Sequence, residues 1–176
     1  MKIAVHQMCS GIDPLGNAGK MEQGIYHAAA SNAVMSFAPE MAILLDRDRK
    51  RAASHIVSET ESSALQRVSS AARASGIWVH AGSLPVLTDD RSRYANRSVV
   101  IDPDGQIRAR YDKMHLFDVD LSTGESWRES AAYAAGSGPV AVQTPLGLLG
   151  LTICYDLRFP DLYSAYSKAS VEILAV

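Results

Sequence analysis

The chain has 176 residues, 47% apolar and 20% charged, which is enough for one domain with a real core. Its formal net charge of −2 supplies no basic field for nucleic acid or an anionic membrane. The two cysteines, Cys9 and Cys154, fit no CxxC or Cys/His zinc spacing, so neither a disulfide framework nor a metal site is indicated. No stretch approaches the roughly 18 consecutive apolar residues of a membrane span. Residues 1–6 read as a strand rather than a leader. The expected setting is cytoplasmic, where a free thiol survives.

Periodicity predicts a short buried strand over 2–8, a turn at 10–14, and a helix over 17–31 with Met21, Ile25, Ala28 and Ala29 on one face. Cys9, just past the strand, reads as buried or half-buried packing. A second apolar strand over 34–38 closes at Pro39 and Glu40. The charge run 46–51 reads as a solvated loop or helix face. An amphipathic helix follows over 63–74, with Leu65, Val68, Ala71 and Ala72 inward, and Gly76 ends it. A third strand spans 77–84. This alternation of strand and helix argues for a layered α/β fold.

The pattern then changes. Residues 94–101 and 106–111, joined by Asp102-Pro103-Asp104-Gly105, read as an antiparallel hairpin, with Asp-Gly as its turn signal. Residues 112–138 show no clear period, and long irregular segments in compact domains are usually functional. Residues 140–144 and 148–153 form another strand pair. It runs directly into Cys154. After Pro160, Leu162, Ala165, Tyr166 and Ala169 recur at helical spacing, and 171–176 is a last apolar strand. No repeat or linker divides the chain.

Three residues follow apolar elements: Glu40, Lys113 and Cys154. In open α/β sheets, ligands gather at the carboxyl ends of strands. A carboxylate, an ammonium and a thiol meeting there divide the labour of acyl transfer. The carboxylate takes the thiol proton and later activates water. The ammonium stabilises the oxyanion, and the thiolate forms the acyl intermediate. Backbone N–H groups after the cysteine are expected to lower its pKa. Each residue also has a bland reading, as surface charge or as a small core hydrophobe. His115 reads as structural. Asp156 and Arg158 are expected to pair with each other or with nearby backbone. Arg158 is also a weaker candidate for binding a substrate carboxylate.

Three segments together resemble the signature blocks of the nitrilase (carbon–nitrogen hydrolase) superfamily. They are Phe37-Ala38-Pro39-Glu40, Tyr111-Asp112-Lys113-Met114-His115-Leu116-Phe117, and Gly150-Leu151-Thr152-Ile153-Cys154-Tyr155-Asp156-Leu157-Arg158-Phe159-Pro160. They stand in the family's order, and the resemblance covers the whole chain. It implies an αββα sandwich and a Glu-Lys-Cys triad at Glu40, Lys113 and Cys154. It also implies a second glutamate, Glu129 in Trp127-Arg128-Glu129-Ser130, which orients Lys113 and substrate. The Tyr155 N–H would join the oxyanion site. No metal or organic cofactor is implied, and full-length members are expected to form homo-oligomers such as dimers.

Residues 113–130 are similar to the amidase branch, which includes deaminated-glutathione amidases and ω-amidases. Tyr155 after the cysteine, where true nitrilases commonly have tryptophan, also points to amides. Full-length members of the family continue beyond this chain's last residue, so the resemblance implies that a C-terminal part of the sandwich is missing. The apolar faces it would cover are then expected to be exposed. Two functions stay open at this point. One is an amide hydrolase working through a thioester. The other is a truncated, inactive homologue that acts as an interaction protein.

Overall fold

Two sheets stack face to face, with helices on both outer sides. The structure is a computed structural model and describes residues 1–176. The first sheet runs β1 (Ile3–Val5), β2 (Met35–Phe37), β3 (Trp78–Leu87), β4 (Tyr94–Ile101), β5 (Ile107–Asp112) in that spatial order. β1, β2 and β3 are parallel, and β4 and β5 form the predicted hairpin. Two reversals return β5 to the direction of β2. Glu40 and Lys113 therefore leave the sheet at the same end.

Helices α1 (Pro14–Ala30) and α3 (Ser63–Ser75) cover one face, with the short α2 (Arg49–Ala53) between them in sequence. Each helix begins and ends for a local reason. The Asp13 side chain accepts from the Leu15 N–H, and Pro14 at the first helical position lacks the N–H that would be unsatisfied there. That cap starts α1 three residues before the expected Asn17. Ser62 caps α3, and Gly76 ends it in the left-handed region at φ 66°. Met21 and Ile25 of α1 pack with Val68, Ala71 and Ala72 of α3 over Val79, Ala81, Val99 and Ile101. Each large side chain fully buried here contributes about 1.5–3 kcal/mol.

Residues 112–138, expected to be irregular, contain a small ribbon of β6 (Asp118–Asp120) and β7 (Ser126–Arg128). β7 is exposed throughout and β6 nearly so, so neither carries the apolar alternation that reveals a strand. The second sheet runs β10 (Ile173–Ala175), β9 (Gly147–Leu151), β8 (Val140–Thr144). Leu149 and Leu151 of β9, with Ile153 and Ala175, meet Met35, Val100, Ala109 and Tyr111 of the first sheet. On the other face of β9 lies α4 (Pro160–Lys168). The Tyr166 hydroxyl reaches Leu151 O at 2.5 Å, and a Cβ on Gly150 would touch the Tyr166 ring at 3.1 Å. The layers are therefore helix, sheet, sheet, helix.

Two expectations need correction. The first strand is shorter than 2–8 and is not buried: Ile3 is 49% and Val5 75% exposed. β1 is an edge strand whose pairing stops with the three residues of β2. Cys9 is exposed rather than packed. It follows the edge strand and lies outside both major cores.

Candidate functional site

Glu40 owes its position to a defect in β3. The register between β3 and β4 slips between His80 and Ser83, where Gly82 sits at φ 64°. A Cβ at Gly82 would lie 1.9 Å from Pro39 O, so only glycine lets the Pro39–Glu40 loop lie this close. β3 then holds the loop. Ala38 N–H donates to His80 O, Ser83 N–H to Pro39 O, Met41 N–H to Ser83 Oγ and Ala42 N–H to Ser83 O. From β4, Asn96 Nδ2 donates to Glu40 Oε1 at 2.8 Å.

Lys113 follows β5 directly, its N–H bonded to Asn96 O. Its side chain is only 3% exposed, so its charge needs partners. Nζ lies 3.0 Å from Glu40 Oε1 and 3.1 Å from Glu129 Oε2. Glu129 is fixed in turn, since Oε2 accepts the Phe117 N–H at 2.7 Å and its own N–H donates to Phe117 O. Burial opposes the lysine charge, but the two carboxylates outweigh it and hold the Lys113 pKa above its ordinary value.

Cys154 sits where β9 ends and a 3₁₀ turn begins, at φ 45°. This left-handed backbone is uncommon for a residue with a Cβ and stores strain. Asp156 stabilises the turn. Fully buried, it accepts Ile153 N–H at 2.9 Å, Tyr111 O–H at 2.7 Å, and both the backbone and Nδ1 of His115 at 3.0 and 2.7 Å. One carboxylate thus ties the Cys154 turn to the segment that carries Lys113. His115 also stacks on Phe159, with ring centroids 3.7 Å apart, consistent with its structural reading. Of the two partners expected for Asp156, nearby backbone is found, at the Ile153 N–H, and Arg158 is not. Arg158 is exposed and does not line the cavity described below.

The thiol expectation also changes. Burial pushes the Cys154 pKa up, and the negative charge and hydrogen bond of Glu40 add to this. Lys113 only partly offsets them. The free site therefore holds a neutral thiol beside a carboxylate.

Glu40, Lys113, Glu129 and Cys154 all line one cavity of about 310 Å³. Met41, Leu45, Phe117 and Trp127 form its apolar walls, and Arg49 of α2 is a second cation on it. A larger groove of about 610 Å³ between β1 and α1 contains Cys9 but none of these four residues. Chemistry rather than size identifies the site. Sequence reading missed Asn96, Gly82 and Arg49. A glycine inside a strand pattern was the available hint for the bulge.

A family profile described as Carbon-nitrogen hydrolase matches residues 2–176. The chain is 35% identical over 179 residues to a deaminated glutathione amidase of Yersinia enterocolitica, covering 99% of this chain and 61% of that protein. It is 34% identical over 109 residues to the human omega-amidase NIT2, covering 62% of this chain and 39% of that one. The crystal structure of the Caenorhabditis elegans NitFhit protein superposes with a TM-score of 0.77 at 32% identity, over 94% of this chain and 40% of that chain. An amidase from Nesterenkonia sp. AN1, with acrylamide added to its active-site cysteine, superposes at 0.82 with 22% identity, over 98% and 64%. At that identity the likeness concerns the fold alone.

Proposed function

This chain belongs to the carbon–nitrogen hydrolase family, and on that premise we propose that it hydrolyses the amide bond of a small carboxylic-acid amide through a thioester on Cys154. The observation that supports this best is the shared cavity of Glu40, Lys113, Glu129 and Cys154, with Lys113 between two carboxylates at 3.0 and 3.1 Å.

The thiol is neutral in the free site, so Glu40 acts as general base. Its carboxylate takes the Sγ proton as sulfur attacks the amide carbonyl carbon. The carbonyl π electrons move to oxygen. Lys113 Nζ and the Tyr155 N–H stabilise that oxyanion. Glu40 returns the proton to nitrogen, the C–N bond breaks, and ammonia or an amine leaves. Glu40 then takes a proton from water as hydroxide adds to the thioester, and the C–S bond breaks as Glu40 returns that proton to sulfur, giving the acid and a restored thiol. Glu129 holds the ammonium of Lys113 toward the carbonyl.

The deciding assay is ammonia release from a panel of primary amides by wild type and Cys154→Ala. Steady release by wild type alone is the expected result. Equal release by Cys154→Ala, or none from folded wild type, would overturn the reading.

A further inference from the structure

We infer that Arg97 is a positioning residue for Lys113. From the helix-covered face of the first sheet it clamps the end of β5, and so holds the ammonium that projects from the opposite face. The consequence for turnover rests on the amide-hydrolase reading.

Lys113 hangs from a weak place. β5 is an edge strand paired with β4 alone, and Lys113 is the first residue past its last paired position, Asp112 opposite Arg97. Element ends with few neighbours open most readily. Two backbone bonds hold Lys113 itself, its N–H to Asn96 O and the Gly136 N–H to its carbonyl, each at 2.9 Å. Alternation along the strands puts Arg97 and Asp112 on the face that Val99 and Ile101 share with the helices. It puts Lys113 on the face that Tyr111 presents to the second sheet. On the helix side Arg97 Nε and Nη2 donate to Asp112 Oδ1 and Oδ2 at 2.7 and 2.9 Å. Its Nη1 donates to Glu59 Oε2 at 3.2 Å. Glu59 belongs to the 3₁₀ turn Glu59–Glu61 before α3 and is held from its other side by Arg110 Nε at 2.7 Å. The Arg97, Glu59 and Asp112 side chains are 17%, 12% and 27% exposed, so water screens this network less than a surface ion pair. One guanidinium thus ties the end of the edge strand both to β4 and to a turn outside the sheet. The planar fork makes this possible, since a lysine at the same place has no second edge to offer. The ammonium that depends on it is poised 3.0 and 3.1 Å from two carboxylates, and a displacement of about 1 Å at such a group is enough to cost catalysis.

The test reads the place of Lys113 through the thiol it acts on, because the Lys113 charge pulls the Cys154 pKa down. The pH midpoint of Cys154 alkylation is measured in a Cys9→Ser background and needs no turnover. Arg97→Met should raise the midpoint, in the direction of Lys113→Met. It should add nothing in a chain that already carries Lys113→Met, which separates an effect through Lys113 from general loosening. Arg110→Met removes a like charge that touches Glu59 but not Asp112, and should keep the wild-type midpoint. Arg97→Lys keeps the charge and one ion pair, serves if Arg97→Met does not fold, and should show a smaller rise. An unchanged midpoint in both Arg97 variants, a rise that persists beside Lys113→Met, or an equal rise in Arg110→Met would overturn the proposal. In ammonia release, Arg97→Met should lower kcat about tenfold with KM nearly unchanged, and wild-type kcat would also count against it. Absence of ammonia from the wild-type chain removes only the hydrolase reading and leaves the midpoint result standing.

Discussion

The Tyr111 hydroxyl donates to Asp156 Oδ2 at 2.7 Å across the interface between the two sheets. Tyr111 lies two residues before Lys113, and Asp156 two residues after Cys154. This bond therefore helps set the separation of the ammonium and the thiol. Tyr111→Phe should cost about 1–3 kcal/mol, because it leaves a fully buried carboxylate oxygen short of a donor. Asp156→Asn should cost more. It would place an N–H₂ group among the four donors that now point at the carboxylate. Chemical denaturation measures both, and unchanged midpoints would refute the role of the bond.

The raised thiol pKa has a definite sign under mutation. Burial and the Glu40 charge push Cys154 above its ordinary 9.0, and Lys113 pulls the other way. In a Cys9→Ser background, which removes the second exposed thiol, the alkylation rate should rise with pH through a midpoint above that value. Glu40→Gln should lower the midpoint by deleting a negative charge, and Lys113→Met should raise it. Glu40→Gln should nevertheless slow turnover by about 10²–10⁴-fold through loss of the base. Faster alkylation combined with slower catalysis is the signature to look for.

Gly82 tests how the base is held. Gly82→Ala forces a Cβ against the Pro39 carbonyl at a φ of 64°, so the loop must move. The expected result is a folded but less stable protein with kcat reduced more than tenfold. An alanine variant with wild-type turnover would show that the bulge does not position Glu40.

The triad candidates were legible because each stands just past a strand pattern, apolar before Glu40 and Cys154 and alternating before Lys113, and ligands gather at strand ends. Glu129 needed the family resemblance, since nothing in the exposed 126–128 ribbon announces an element. Asn96 was hidden by its setting. A buried asparagine inside a strand reads only as an interruption, and its bond to Glu40 spans 56 residues of sequence. Asp156 shows the same limit: the expected bond to nearby backbone forms at Ile153, while its side-chain partners come from far along the chain. Arg158 is near in sequence, but Tyr111 and His115 are near in space. The exposure of β1 and Cys9 was missed because apolar composition does not distinguish an edge strand from a central one.

His80 supplies a stability prediction at acid pH. It is buried behind the Glu40 loop, with Nδ1 accepting the Gly82 N–H at 3.3 Å and Nε2 facing Ser98 Oγ at 2.9 Å. Burial pushes its pKa down from 6.5 to about 4. Between these values the unfolded chain binds the proton and the folded chain does not. Stability therefore falls as pH drops through that window, by about 3 kcal/mol at most. His80→Gln should flatten the acid side of the stability profile relative to wild type. Parallel profiles for the two proteins would contradict the assignment.

The central claim is covalent acylation of Cys154, and intact mass after acid quench with a primary amide tests it most directly. Wild type should gain the mass of the acyl group with loss of ammonia, and peptide mapping should place it on Cys154 rather than Cys9. Cys154→Ala should gain nothing. An adduct mapped to Cys9, or ammonia released with no acylated species at any quench time and no effect of Cys154→Ala, would contradict the account.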